Sequence, residues 1–155
     1  MQLAPRPSGP RRSSDVAEAL VAAAGLHGHR PALTVLTGGA DPHREEQGFA
    51  SLAQWAAKGA HLLELDLLAD PGDLVLLDGP PGWLPAAVAL AAWWAGIGVT
   101  DEVGDARVAV VHEHRTVPDV DDVLLWGDDS DGQPLGAQTI EGWAEAVQSF
   151  PDQPP

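Results

Sequence analysis

Apolar positions recur along this chain with two periods, one helical and one extended. From Ser51 onward, Leu52, Trp55, Ala56, Leu62 and Leu63 fall at i, i+3, i+4, i+10 and i+11, the spacing of one helix face. Gly59 occupies the i+7 place on that face, where glycine costs about 1 kcal/mol relative to alanine. Val16, Leu20, Val21 and Ala24 repeat the helical spacing behind the candidate caps Ser13, Ser14 and Asp15, and Gly25 is a natural stop. A third helix starts near Pro85, which suits a first turn, and runs to about Ala95. The extended pattern marks Pro31 to Leu36 as a short strand. Leu74 to Leu77 is a continuous apolar run, as in a strand covered on both faces. Ile97 to Thr100, Arg107 to Val111 and Val123 to Trp126 read as further strands. Between these elements, Thr37 to Gly48 reads as a polar turn and Asp70 to Asp73 as a tight one. Asp128 to Gly136 reads as an acidic loop and Thr139 to Val147 as a short helix.

Helices that alternate with strands predict an α/β domain: a partial doubly wound, mostly parallel sheet with flanking helices. The expected layout is a mobile arm over residues 1–13, one domain over 14–148 and a flexible tail over 149–155. A chain of 155 residues is long enough to bury one real core.

Charge narrows the partners. Eight basic residues against 23 acidic ones leave a formal net charge of −15. The stretch from Asp101 onward carries most of it, with Arg107 and Arg115 its only basic residues apart from histidine. That field repels phosphate backbones and anionic bilayers, so neither nucleic acid nor a membrane is expected as a partner. The longest uncharged apolar stretch, Leu84 to Thr100, is short for a bilayer and contains Pro85, Gly96 and Gly98. No apolar run follows Arg6, Arg11 and Arg12, so no signal peptide is read and a cytoplasmic location is expected. The absence of cysteine excludes disulfides, thiolate metal sites and cysteine nucleophiles. Abundant arginine and alanine with a single lysine, Lys58, point to a bacterial genome rich in G and C.

Candidate chemistry is sparse. His112 and His114 stand two apart at the end of a strand, so they share a face and are weak candidates for one metal ion. The plainer reading is polar residues where a strand leaves its sheet. Asp128 to Gly132 resembles a calcium loop in composition, but its spacing puts Gly127 and Gln138 at the key ligand positions. Gly79 to Trp83 precedes a helix and could face an anion. Its two prolines remove donors, which favours a rigid turn. Six tryptophans are more distinctive. Trp93 and Trp94 adjoin on a helix, so one faces the core and the other points elsewhere. Trp83, Trp93 and Trp94 are the candidate interaction residues.

The order of elements and the small-residue punctuation over roughly residues 15–111 resemble the start of the AMP-binding superfamily. That superfamily contains acyl-CoA synthetases, adenylation domains and luciferases. The resemblance is carried by Ala69-Asp-Pro-Gly-Asp-Leu-Val75 at a turn into a strand and by Ala95-Gly-Ile-Gly-Val99 after an alanine-rich helix. The chain also resembles a small bacterial family of short proteins with the same N-terminal similarity. The resemblance implies the fold of the superfamily's N-terminal part. It also implies a phosphate loop rich in Ser, Thr and Gly that ends in lysine, and no such stretch occurs here. Thr37-Gly-Gly39 is too short and out of place, and Lys58 lies in an early helix. No catalytic or cofactor-binding residue carries over, and no cofactor is expected. The expectation is a truncated, non-catalytic binding or protein-interaction module, with a protein partner or homodimer covering surface left bare. The alternatives are a binder of small acyl or nucleotide ligands and a metal-dependent enzyme using His112 and His114.

Overall fold

The computed structural model describes residues 14–39, 42–112, 117–126 and 141–151. Outside the described residues lie the arm over 1–13, His114, the acidic loop and the last four residues of the tail. Helix α1 spans Ser14–His27 and leads into strands β1, Pro31–Thr37, and β2, His43–Gly48. Helix α2, Phe49–His61, continues into a π-helical turn, Leu62–Asp66. There the Leu67 N–H donates to the Leu62 carbonyl five residues back, at 3.0 Å. Strand β3, Leu74–Asp78, helix α3, Trp83–Trp94, and strands β4, Gly98–Thr100, β5, Val108–Val111, and β6, Asp122–Leu125, follow. Strand β7, Glu141–Gly142, helix α4, Trp143–Ala146, and a 3-10 turn, Val147–Ser149, end the described fold.

The main sheet has five parallel strands in the order β4-β3-β5-β6-β7. From β3 the chain passes through α3 to β4 on one side. It then crosses back past β3 to β5 and continues outward through β6 to β7. Parallel crossovers are right-handed almost without exception, so reversing direction moves the connection to the opposite face. Burial agrees. Helix α3 packs with α2, Val75, Val108, Val110 and Leu124 on one face. On the other face Leu76, Ala109, Val111 and Val123 are covered by Ala106 from the β4–β5 connection and by Val117 and Val120 from the β5–β6 connection. Strand β5 is buried along its whole length, as its uninterrupted apolar run requires.

Two expectations are corrected. The segment read as a polar turn contains β2, which pairs antiparallel with β1 in a separate two-stranded ribbon. Its His-Arg-Glu-Glu sequence carries no apolar alternation because those four residues all face solvent. Pairing with β1, not intrinsic propensity, makes it a strand. Strand β1 therefore lies outside the main sheet. The helix expected over Thr139 to Val147 is shorter: among its described residues the chain forms β7, then α4, then the 3-10 turn. Beyond it, Phe150 stacks on the buried His61 ring, with centroids 6.4 Å apart.

Gly59 now has a physical reason. A Cβ built there would lie 2.5 Å from Trp143 Cζ2 and 2.7 Å from the Ala91 Cβ. Glycine thus lets α2 approach α3 while the fully buried Trp143 fills the space beside them. Gly59→Ala is expected to destabilise by about 1–3 kcal/mol through overpacking, despite alanine's better helix propensity. Gly25→Ala, where nothing lies within 4 Å, is expected to stabilise by about 0.5–1 kcal/mol. Urea denaturation of the two variants checks the opposite signs.

Glu64, in the π-helical turn, has its carboxyl pushed above the ordinary range by burial, while the nearby His61 pulls the other way. The native state therefore holds this proton more tightly than the unfolded chain. Between the unfolded and folded values stability falls as pH rises, and above both the loss is complete. Glu64→Gln should be more stable than the parent at pH 7, with the advantage vanishing once pH drops below the carboxylate range. Thermal melts across pH read this directly.

Candidate functional site

In open α/β sheets, ligands bind outside the carboxyl ends of the strands, where the winding changes direction. Here that point lies between β3 and β5. Three chain segments meet there: Asp78 and the Gly79–Gly82 loop after β3, His112 after β5, and Trp126 after β6.

The junction is tightly built. The Asp78 carbonyl accepts two hydrogen bonds, from the His112 backbone N–H at 3.1 Å and from the Trp126 indole Nε1–H at 3.0 Å. The Trp126 backbone N–H donates to the Val111 carbonyl at 3.0 Å. The His112 and Trp126 rings sit 4.4 Å apart, tilted by 40°. Gly79 has φ +133°, and a Cβ there would come within 2.6 Å of both His112 Cβ and Trp126 Cζ2. Only glycine accommodates both that backbone and that approach. Trp126 therefore lies across the Gly79–Gly82 loop, and the domain's own indole occupies part of the switch point. The His112 Nδ1 atom is buried and has no hydrogen-bond partner among the described residues. The tautomer with its proton on Nε2 avoids burying an unpaired N–H.

The predicted site residues that are described stand in different surroundings. His112 lies in this junction, and His114 is outside the described residues. Among the described residues no group of three or more His, Cys, Asp or Glu could hold a metal ion. Trp83, half-buried, starts α3 and packs edge-on against Trp55, with centroids 5.3 Å apart. Trp94 is buried beside Ala17, Val21 and Ala22 of α1, where it lines a depression of about 340 Å³. Trp93 stays 46 % exposed. Sequence pattern alone does not single out Asp78 and Trp126 as site residues. Their signal was available, since each ends or directly follows a strand-like apolar run. What pattern alone lacked was the order of the strands.

The fold and its switch point define an open parallel α/β domain. More narrowly, the chain has the fold of the N-terminal subdomain of adenylate-forming ligases. The anthranilate CoA ligase AuaEII, solved with anthranoyl-AMP, matches over 91% of this chain and 30% of its own, with a TM-score of 0.67 and 13% identity. A long-chain-fatty-acid-CoA ligase, FadD1, from Archaeoglobus fulgidus matches over 90% and 30%, with a TM-score of 0.64 and 14% identity. An acyl-CoA synthetase from Brucella canis matches over 92% and 33%, with a TM-score of 0.60 and 18% identity. In sequence, a TIGR03089 family protein from Mycobacterium tuberculosis (strain ATCC 25618 / H37Rv) is 36% identical over 72 residues, covering 46% of this chain and 30% of that protein. No family model matches. The chain thus spans about a third or less of the length of each of these proteins.

Trp126→Phe removes the Nε1–H donor and leaves a smaller ring against Gly79, while Asp78 keeps its bond from His112. A loss of about 1–2 kcal/mol is expected from the hydrogen bond and the lost packing together. Gly79→Ala should cost more, about 2 kcal/mol or above, because backbone strain adds to the overlap with His112 and Trp126. Chemical denaturation of both variants ranks them.

Proposed function

We propose that these residues form a non-catalytic binding or protein-interaction module built on the adenylate-forming N-terminal subdomain fold. One observation carries the reading: large apolar side chains stand exposed on a well-packed domain. Leu26, Leu36, Leu65 and Leu68 are each more than 60 % exposed, and Val103 and Trp93 about half. Single exposed apolar residues are ordinary. Here several stand on one domain, and exposed apolar surface of this kind is what a partner covers.

The chemistry supports the non-catalytic part. No Ser/Thr/Gly-rich stretch ending in lysine occurs in these 155 residues. Lys58 is half-buried within α2. At the switch point, where an open α/β domain would hold a small ligand, Trp126 already lies over the loop. A second reading, binding of a small acyl or nucleotide ligand, is favoured by the unpartnered His112 Nδ1 at that junction. A thermal-shift screen addresses it, since a ligand that prefers the native state raises its stability.

The non-catalytic reading predicts no ATP–pyrophosphate exchange above background from the purified chain with a panel of aromatic and aliphatic carboxylic acids. Robust exchange with any one acid contradicts it.

A further inference from the structure

We propose that the outer edge of β1 pairs antiparallel with β1 of a second copy, about a twofold axis at Thr34. This rests on the interaction-module reading and names its partner and surface. Strands β1 and β2 form a ribbon of two, so among the described residues β1 pairs with β2 alone. An unpaired strand edge presents a row of N–H and C=O groups that another strand satisfies.

The two edges of the ribbon differ in charge. Strand β2 carries His43, Arg44, Glu45 and Glu46, all exposed. Charges of this kind protect an edge from pairing. An antiparallel pair of β2 edges centred on Glu45 or Glu46 would also set like charges against each other. Strand β1 reads Pro-Ala-Leu-Thr-Val-Leu-Thr and carries no charge. Beyond Pro31 it is rich in residues that favour extended structure.

The β1 edge is also self-complementary. With the axis at Thr34, that residue faces the partner's Thr34, a favourable cross-strand pair. Leu33 faces the partner's Val35, and Leu36, 72 % exposed in the single chain, is covered beside the partner's Ala32. No like charges meet. The contact is isologous, so it closes at two copies and leaves the charged β2 strands outermost. A strand of seven residues spans only about 23 Å at about 3.3 Å per residue. The interface therefore falls at the small, weak end of the range, and rapid exchange between one and two copies is expected.

Sedimentation velocity of the intact chain from about 1 µM to about 1 mM, the range of weak complexes, should show the average mass climbing from 16.2 kDa toward twice that value. Thr34→Lys and Thr34→Glu should each stay monomeric, because like charges meet at the axis. A one-to-one mixture of the two should associate. Leu36→Lys, which leaves the Thr34–Glu46 hydrogen bond in place, should also be monomeric. Glu45→Lys on β2 should associate as the parent does, and circular dichroism confirms that each variant is folded. A parent chain that stays monomeric throughout, Thr34 or Leu36 variants that associate like the parent, or growth beyond two copies would each overturn the proposal. A monomer that also lacks exchange activity overturns β1 pairing and leaves the non-catalytic reading standing. A dimer that catalyses exchange does the reverse.

Discussion

The domain depends on the pairing of β3 with β5, which sets Val75 opposite Val108 across a long stretch of intervening chain. It makes β3 and β5 interior strands and sends β4 to the far side of β3. It also places α3 on one face of the sheet and Ala106, Val117 and Val120 from the two connections that flank β5 on the other. Both buried apolar clusters follow from it, because the residues of β3 and β5 alternate between them. The junction of Asp78, Gly79, His112 and Trp126 follows as well, since these residues stand at the ends of strands that this pairing brings together.

Much of the architecture is legible in local pattern. The apolar runs at Leu74 to Leu77 and Arg107 to Val111 are the two central strands, within a residue of their observed limits. The turn before β3 is present, with Gly72 at φ +103° and the Asp73 N–H bonded to the Asp70 carbonyl. Local pattern fails where structure depends on a distant partner. Strand β2 is charged along most of its length and exists through its pairing with β1. Gly59 looks like a flaw in a helix until Ala91 and Trp143 are seen against it. The candidate site was half legible. The sequence offers His112 as a weak metal candidate, and its described surroundings are a tryptophan ring, a glycine loop and a backbone carbonyl. Trp126 ends a strand-like run, and its part in the junction depends on β6 lying beside β5.

The structural likeness to adenylate-forming ligases concerns fold, at identities of 13% to 18% in the matches described. A fold of this kind supplies a sheet, a switch point and a set of faces, and chemistry has to be found in side chains. In this domain the groups at the switch point hold one another: the Trp126 indole N–H on the Asp78 backbone carbonyl and the His112 imidazole against the indole. The apolar residues left over stand on the surface, from Leu26 at the end of α1 to Leu65 and Leu68 after α2. That division, a closed junction and an open exterior, is the physical basis for reading the domain as an interaction module.

The proposed contact of the ribbon makes the most specific claim, because an uncharged strand edge fixes the geometry of a strand that pairs with it. Amide hydrogen exchange resolved along the chain tests this most directly. If the β1 edge is the surface that associates, amides between Ala32 and Thr37 should exchange more slowly as protein concentration rises, while those of the buried strand Val108–Val111 keep their protection. Equal exchange in β1 at every concentration would contradict the account.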